Sequence, residues 1–239
     1  MSTGELPPAP RLPSREPPTR RRPRARALTR EAIVAAALDI IDREGLDAMT
    51  MRTVAHSLGT GAASLYAHVS SKEDLIELVI ERVIGEVDFA AEPDPQRWQE
   101  QVKDGLRAIR VVFSRHGDLA RASFARIPMG ENALRGSEQM INVLRAGRLP
   151  DQVIAYACDL LPLYAMAVAY EESLYANEVR SPAEFDQFID SMRAYFAALP
   201  PERFPNMVAL APLLTQGDSG ERFEFGLEVL VRGLAAMSE

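Results

Sequence analysis

After Leu28, apolar residues recur at three- and four-residue steps through most of the chain, and nowhere alternate long enough to mark a strand. In "LTREAIVAAALDIIDREG" the apolar set is Ile33, Ala36, Ala37, Ile40 and Ile41, with Thr29 placed as an N-cap and Gly45 as the stop. "TMRTVAHSLG" predicts a short second helix, capped by Thr50, facing inward with Val54, Ala55 and Leu58, and ended by Gly59. "GTGAASLYAHVSSK" supplies a third, roughly over 62–68, with few apolar anchors. "SSKEDLIELVIERVIGEVDF" opens a fourth: a serine cap, acids in the first turn, then apolar positions 75, 76, 79, 80, 83 and 84.

Pro93 and Pro95 in "EPDPQ" break the pattern. Beyond them the periodicity predicts helices near 96–115, 118–127, 130–147, 151–178, 182–199 and 219–237, with Pro162 expected to kink or split the fourth of these. Residues 200–218, "PPERFPNMVALAPLLTQGD", read as a long connection with apolar content. The fold class expected is all-α, with a small N-terminal three-helix unit followed by a larger helical domain.

The charge of this 239-residue chain sharpens that division. Residues 1–30 carry eight arginines against Glu5 and Glu16, a net of +6, whereas the rest of the chain is net −13. Seven of the 17 prolines fall in the same 30 residues, so this head is expected to be disordered in isolation and to meet a polyanion. A plain solubilising tail is the alternative. No uninterrupted apolar run approaches the ~20 residues that span a bilayer, so the chain is expected to be cytoplasmic, with no membrane partner. Cys158 lies alone among apolar residues and reads as a core thiol. Three histidines (56, 68, 116), no nucleophile motif and no glycine-rich phosphate loop leave little room for an enzyme, and no cofactor or metal is expected.

A second helix, a glycine-containing turn and a short third helix have the spacing of a helix-turn-helix. The odd composition of the third then has a reason. A helix that enters the ~12 Å wide major groove cannot present a bulky apolar face. Leu65 and Val69 anchor it, while Gly61, Ala62, Ala63 and Ser64 are small enough for close approach to base edges. Tyr66 and His68 are placed to reach phosphates or bases, Lys72 a phosphate, Thr50 with the free amides of the second helix another, and Arg52 a guanine. Singly, Tyr66, His68 and Lys72 also fit ordinary packing or surface roles.

Over "LTREAIVAAALDIIDREGLDAMTMRTVAHSLGTGAASLYAHVSSKEDLIELV" the chain resembles the DNA-binding domain of the TetR family of bacterial transcriptional regulators. "RWQEQVKDGLRAIRVVFSRHGDLA" and "ERFEFGLEVLVRGL" are similar to the first regulatory helices and the last helix of its tetracycline-repressor branch. The resemblance implies a homodimeric, ligand-responsive repressor of double-stranded DNA, divided into an arm (1–27), a helix-turn-helix domain (28–74) and a ligand-binding and dimerisation domain (75–239). The family's DNA contacts map onto Arg52, Gly61 to Ser64, Tyr66, His68 and Lys72. Meagre hydrogen bonding from Gly-Ala-Ala leads to the expectation that an arginine arm over Arg20–Arg26, including Arg24 and Arg26, enters a neighbouring minor groove.

In the regulatory half, the His-x-Asp step of "SRHGDLARASFARIP" puts Ser123 where the tetracycline repressors hold a metal-binding histidine. Their asparagine and phenylalanine contacts become Gly105 and Ile109, and Glu171 alone matches a pocket acid. These departures point away from a magnesium–drug chelate and towards a largely apolar effector. Its wall is expected among Trp98, Val102, Ile109, Phe113, Phe124, Met140, Leu144 and Tyr164. For the dimer, the face of the last helix formed by Phe223, Leu227, Leu230, Val231 and Leu234, together with "YACDLLPLYAMAVAYEESLYA", is expected to build a four-helix interface, with a purely intrachain core as the alternative. A helical scaffold with a basic nucleic-acid-binding tail is the alternative function, and it leaves the ordered residues from Thr50 to Lys72 unexplained.

Overall fold

The computed structural model describes residues 28–89, 92–124, 126–178 and 181–238, and among them contains eleven α-helices and no strand. Helices α1 (Arg30–Glu44), α2 (Met51–Ser57), α3 (Ala62–Leu65) and α4 (Lys72–Ile84) form the N-terminal head. Local chemistry sets their ends. The Thr29 side chain accepts from the Ala32 amide, the Ser71 side chain accepts from the Asp74 amide, and Gly45 ends α1 at a φ of 88°. Ile33, Ala37, Met49, Val54, Leu65 and Leu75 are fully or almost fully buried and bring the four helices onto one core.

The body comprises α5 (Trp98–Arg115), α6 (Gly117–Ser123), α7 (Glu131–Ala146), α8 (Asp151–Glu178), α9 (Pro182–Ala197), α10 (Pro205–Leu214) and α11 (Ser219–Ala235). Along α8, Ala157, Leu161, Ala165 and Ala169 fall at four-residue steps and are all buried. Three alanines in that row let α5 approach closely, packing Leu106 and Phe113 beside Phe223 and Leu227 of α11.

A polar seam runs beside this core. Lys103 pairs with Glu228, Arg107 forks onto both carboxylate oxygens of Glu224 at 2.8 and 2.7 Å, and Arg110 pairs with Glu172 of α8. Arg110 also lies 4.7 Å over the Phe223 ring, and the Ser114 and Ser219 hydroxyls donate to Glu172. Burial is the largest influence on Glu172 and pushes its pKa up. The combined hydrogen bonds from Arg110, Ser219 and Ser114 outweigh it and hold the carboxyl below its ordinary value.

Several expectations change. The third helix is one turn, ending at Leu65 rather than 68, and α6 ends at Ser123 rather than 127. Residues 200–218 are not a simple connection: α10 occupies most of them, with Pro205 in its first turn, where the missing N–H is harmless. Helix α8 continues unsplit through Pro162. By length and composition alone, Asp151–Tyr175 is long and apolar enough to cross a membrane, although polar residues interrupt its apolar runs. Helix α4 is continuous across the expected domain boundary at 74/75.

The last helix also differs from expectation. Phe223, Leu227, Val231 and Leu234 belong to the chain's own core, whereas Phe225 and Val229 are exposed. On α8 a second stripe of Tyr156, Leu160, Leu163, Ala167 and Leu174 falls at steps of four, three, four and seven residues and is likewise exposed.

Glu172, Glu224 and Glu228 all have pKa values held below the ordinary value of 4.5. Their contribution to stability is therefore complete above that value and lost as pH falls through the lower, folded-state values. Glu172→Gln is expected to destabilise the protein by about 2 kcal/mol at pH 7, because Arg110 loses its charged partner. In calorimetry across pH, the gap between variant and parent should close only below the ordinary carboxylate range.

Candidate functional site

The head presents a smooth leading face. Gly61 caps α3, and a side-chain carbon built there would touch nothing within 4 Å in the chain. Its smallness is therefore not demanded by internal packing. Gly59, at a φ of 66°, makes the turn into α3. Leu65 and Val69 are buried beneath, while Gly61, Ala63, Ser64 and Tyr66 are exposed, Ala62 and His68 are half-buried, and Tyr66 is 55 % exposed.

The surroundings hold this face in place. Thr50 and Thr53 form a reciprocal capping box at the start of α2, at 3.1 and 2.9 Å, leaving Arg52 pointing to solvent. The Arg30 Nε donates to the His68 carbonyl at 3.2 Å. The Ser70 amide and hydroxyl both donate to Asp74, at 2.7 and 2.8 Å, and with the amide bond leading they draw its pKa down. Lys72, the first residue of α4, is thereby fixed relative to α3.

The body contains a cavity of about 670 Å³. Ile84 and Val87 at the end of α4, Ile109 and Phe113 of α5, Met140 of α7 and Met166 of α8 give it a predominantly apolar wall. Its polar residues are Ser123, Arg126, Ser137, Cys158 and Asp159, and the Ser123 hydroxyl is spent on the Leu119 carbonyl at 2.8 Å. Burial pushes the Cys158 thiol up. Pro162 lines the same wall and has no N–H to return to the Cys158 carbonyl, so that carbonyl lacks its usual helical partner. No group of histidine, cysteine and carboxylate residues suited to a metal occurs among the described residues.

Head and cavity meet through α4. The Glu81 carboxylate accepts from the Asn132 and Ala133 amides, at 2.5 and 3.3 Å, and so caps the N-terminus of α7. Asn132 returns a side-chain hydrogen bond to the Glu81 carbonyl at 3.1 Å. The fit needs two glycines: a Cβ at Gly130 would lie 2.2 Å from the Glu81 carboxyl, and one at Gly85 would lie 2.6 Å from the Asn132 side chain. A second latch joins α6 to the head, where Asp118 accepts from the Leu46 amide at 2.7 Å. Beside it His116 is 2.7 Å from Asp42 and 3.5 Å from Glu86.

Of the residues singled out for a ligand, Ile109, Phe113, Ser123, Phe124 and Met140 line the cavity. Trp98 instead packs against Gly147, Tyr164 stacks on Phe223 and donates to its carbonyl at 3.1 Å, and Glu171 faces solvent. Gly105 lies against Met140 and Phe89 beside a much smaller hollow. Val102 and Leu144 are buried core outside the cavity lining. Arg24 and Arg26 lie outside the described residues. Arg30, Glu81 and Arg126 are not among the residues that the sequence singles out, whereas Asp118, beside His116, is expected at a helix terminus and lies in the first turn of α6. Glu81 and its partner are 51 residues apart, and no local pattern links them.

Comparison with known proteins accounts for both halves. Residues 33–79 match the family described as bacterial regulatory proteins, tetR family, and residues 92–238 match the tetracyclin repressor-like C-terminal domain. The apo crystal structure of ActR from Streptomyces coelicolor is 45% identical, with a TM-score of 0.79, over 87% of this chain and 95% of that one. ActR has also been solved in complex with actinorhodin, at the same identity and TM-score, over 87% of this chain and 97% of that one. The HTH-type transcriptional repressor DrrR1 of Streptomyces coeruleorubidus is 30% identical over 88% of this chain and 78% of its own length. The smooth α3 face, the cavity and these matches cover the chain from head to last helix, and it belongs to the TetR family as a ligand-responsive transcriptional repressor.

Proposed function

We propose that this repressor is a cytoplasmic homodimer that holds a palindromic operator and lets it go when a largely apolar effector fills the 670 Å³ cavity. The observation that carries the reading is α4, whose residues enter the head core through Leu75 and Val79 and the cavity wall through Ile84. The exposed stripes on α8 and α11 support a second copy as the surface that covers them, with the long apolar α8 buried in a four-helix interface. Two-fold symmetry then calls for two half-sites about one helical turn apart. Likeness to ActR makes actinorhodin the first effector to test.

On DNA, α3 contributes close approach from Gly61 to Ser64, with Tyr66, His68, Lys72 and the α2 N-terminus at Thr50 on the backbone and Arg52 reading a base. The arm with Arg24 and Arg26 adds a minor-groove contact. Release requires the effector to favour one of two arrangements of α4. Filling the cavity displaces Ile84 and the α7 N-terminus together, because Glu81 ties α4 to α7, and the two heads change their separation. The chemistry is binding and not catalysis.

Arg52→Ala and Tyr66→Ala alter exposed side chains, so each should shift stability by less than about 0.5 kcal/mol. Arg52→Ala should nevertheless weaken operator binding by about 1–3 kcal/mol in a filter or anisotropy titration at fixed salt; unchanged affinity in both variants refutes this docking. Glu81→Ala should leave actinorhodin binding near the parent's level. The same variant should reduce the coupling between effector and operator by about 0.5–2 kcal/mol, read as a higher effector concentration for half-release.

A further inference from the structure

Arg126 is the one cation among the residues lining the cavity, and it has no carboxylate partner among the described residues. Its guanidinium is half-buried and makes a single described hydrogen bond, 2.7 Å to the Ala122 carbonyl at the end of α6. Elsewhere in the body, cations withdrawn from solvent are neutralised: Lys103, Arg107 and Arg110 each hold a glutamate. An unpaired guanidinium beside an apolar wall departs from that rule. It retains donors in the forked arrangement that suits an oxyanion.

The other charge in the lining is opposite in sign and set on another element. Asp159 is an exposed carboxylate on α8 and repels an anion, so the two charges favour one orientation of any anionic guest. Between them, Phe113, Met140 and Met166 offer only apolar surface. We infer that the effector is an amphipathic organic anion: an apolar, ring-sized body carrying one acidic group that pairs with Arg126. This rests on the cavity being the effector site, and it adds the charge that the apolar wall does not indicate.

The test compares two probes sharing one aromatic skeleton, 8-anilinonaphthalene-1-sulfonate and its uncharged counterpart N-phenyl-1-naphthylamine. Both are titrated by fluorescence into the full chain, Arg126→Gln, Arg126→Lys and Ser137→Trp, the last designed to fill the cavity from an exposed lining position. The sulfonate should bind about tenfold more tightly than the neutral probe. Arg126→Gln should remove that advantage without changing neutral-probe binding, Arg126→Lys should keep most of it, and Ser137→Trp should abolish both. Neutral-probe affinity reports whether Arg126→Gln is still folded. Equal affinities, or a sulfonate preference that survives Arg126→Gln, overturn the anion and leave the cavity standing. Binding that Ser137→Trp does not touch lies outside the cavity and overturns the inference together with the site it rests on.

Discussion

A single helix carries one continuous hydrophobic core from the head into the body. The first two turns of α4 are buried under α1, where Leu75 and Val79 are fully inaccessible to solvent, and its last turn lies against the body, where Ile84 meets the cavity. A packed core does not deform continuously, so a change at one end of a stiff helix is passed on as a movement of the other. The Glu81 cap and the close fits at Gly85 and Gly130 tie α4 to the N-terminus of α7. Remove that constraint and the head becomes a helix-turn-helix attached to an unrelated bundle.

The polar seam along α5 does the complementary work. Lys103, Arg107 and Arg110 tie α5 to α11 and α8 and keep the far side of the cavity fixed. Removing one member of such a pair leaves the other charge without its partner. The α5–α8–α11 side is held by alanine-lined contacts and paired charges, and α6 and α7 make the side that meets the head. Both latches to the head leave from that side, at Asp118 and at the α7 N-terminus.

What was legible in the sequence was local. Thr29, Thr50 and Ser71 announced their helices because a cap acts within three residues, and Leu65 and Val69 anchored α3 as their spacing required. Long-range pairings were hidden. Trp98 fits against Gly147, and Tyr164 lies so near Gly226 that an added Cβ would sit 1.9 Å from its hydroxyl. Aromatic residues that looked suited to a ligand are thus occupied by distant glycines. The last helix has apolar residues on two faces, and periodicity alone does not say which looks inward; Phe223 does, and Phe225 does not. Helix α10 was masked by its two prolines: Pro205 sits in the first turn, where its missing N–H costs nothing, whereas Pro212 lies inside the helix, which continues to Leu214. Arg126 gave no signal at all, since an arginine stands out only once its neighbours prove to be apolar.

If filling the cavity moves the two heads through α4, the distance between them changes. Nitroxide labels on exposed Ser57 of each protomer, with Cys158 replaced by serine, report that distance by pulsed dipolar spectroscopy with and without actinorhodin. A distance distribution that shifts with occupancy of the cavity is expected. An unchanged distribution at ligand concentrations that release the operator would contradict it.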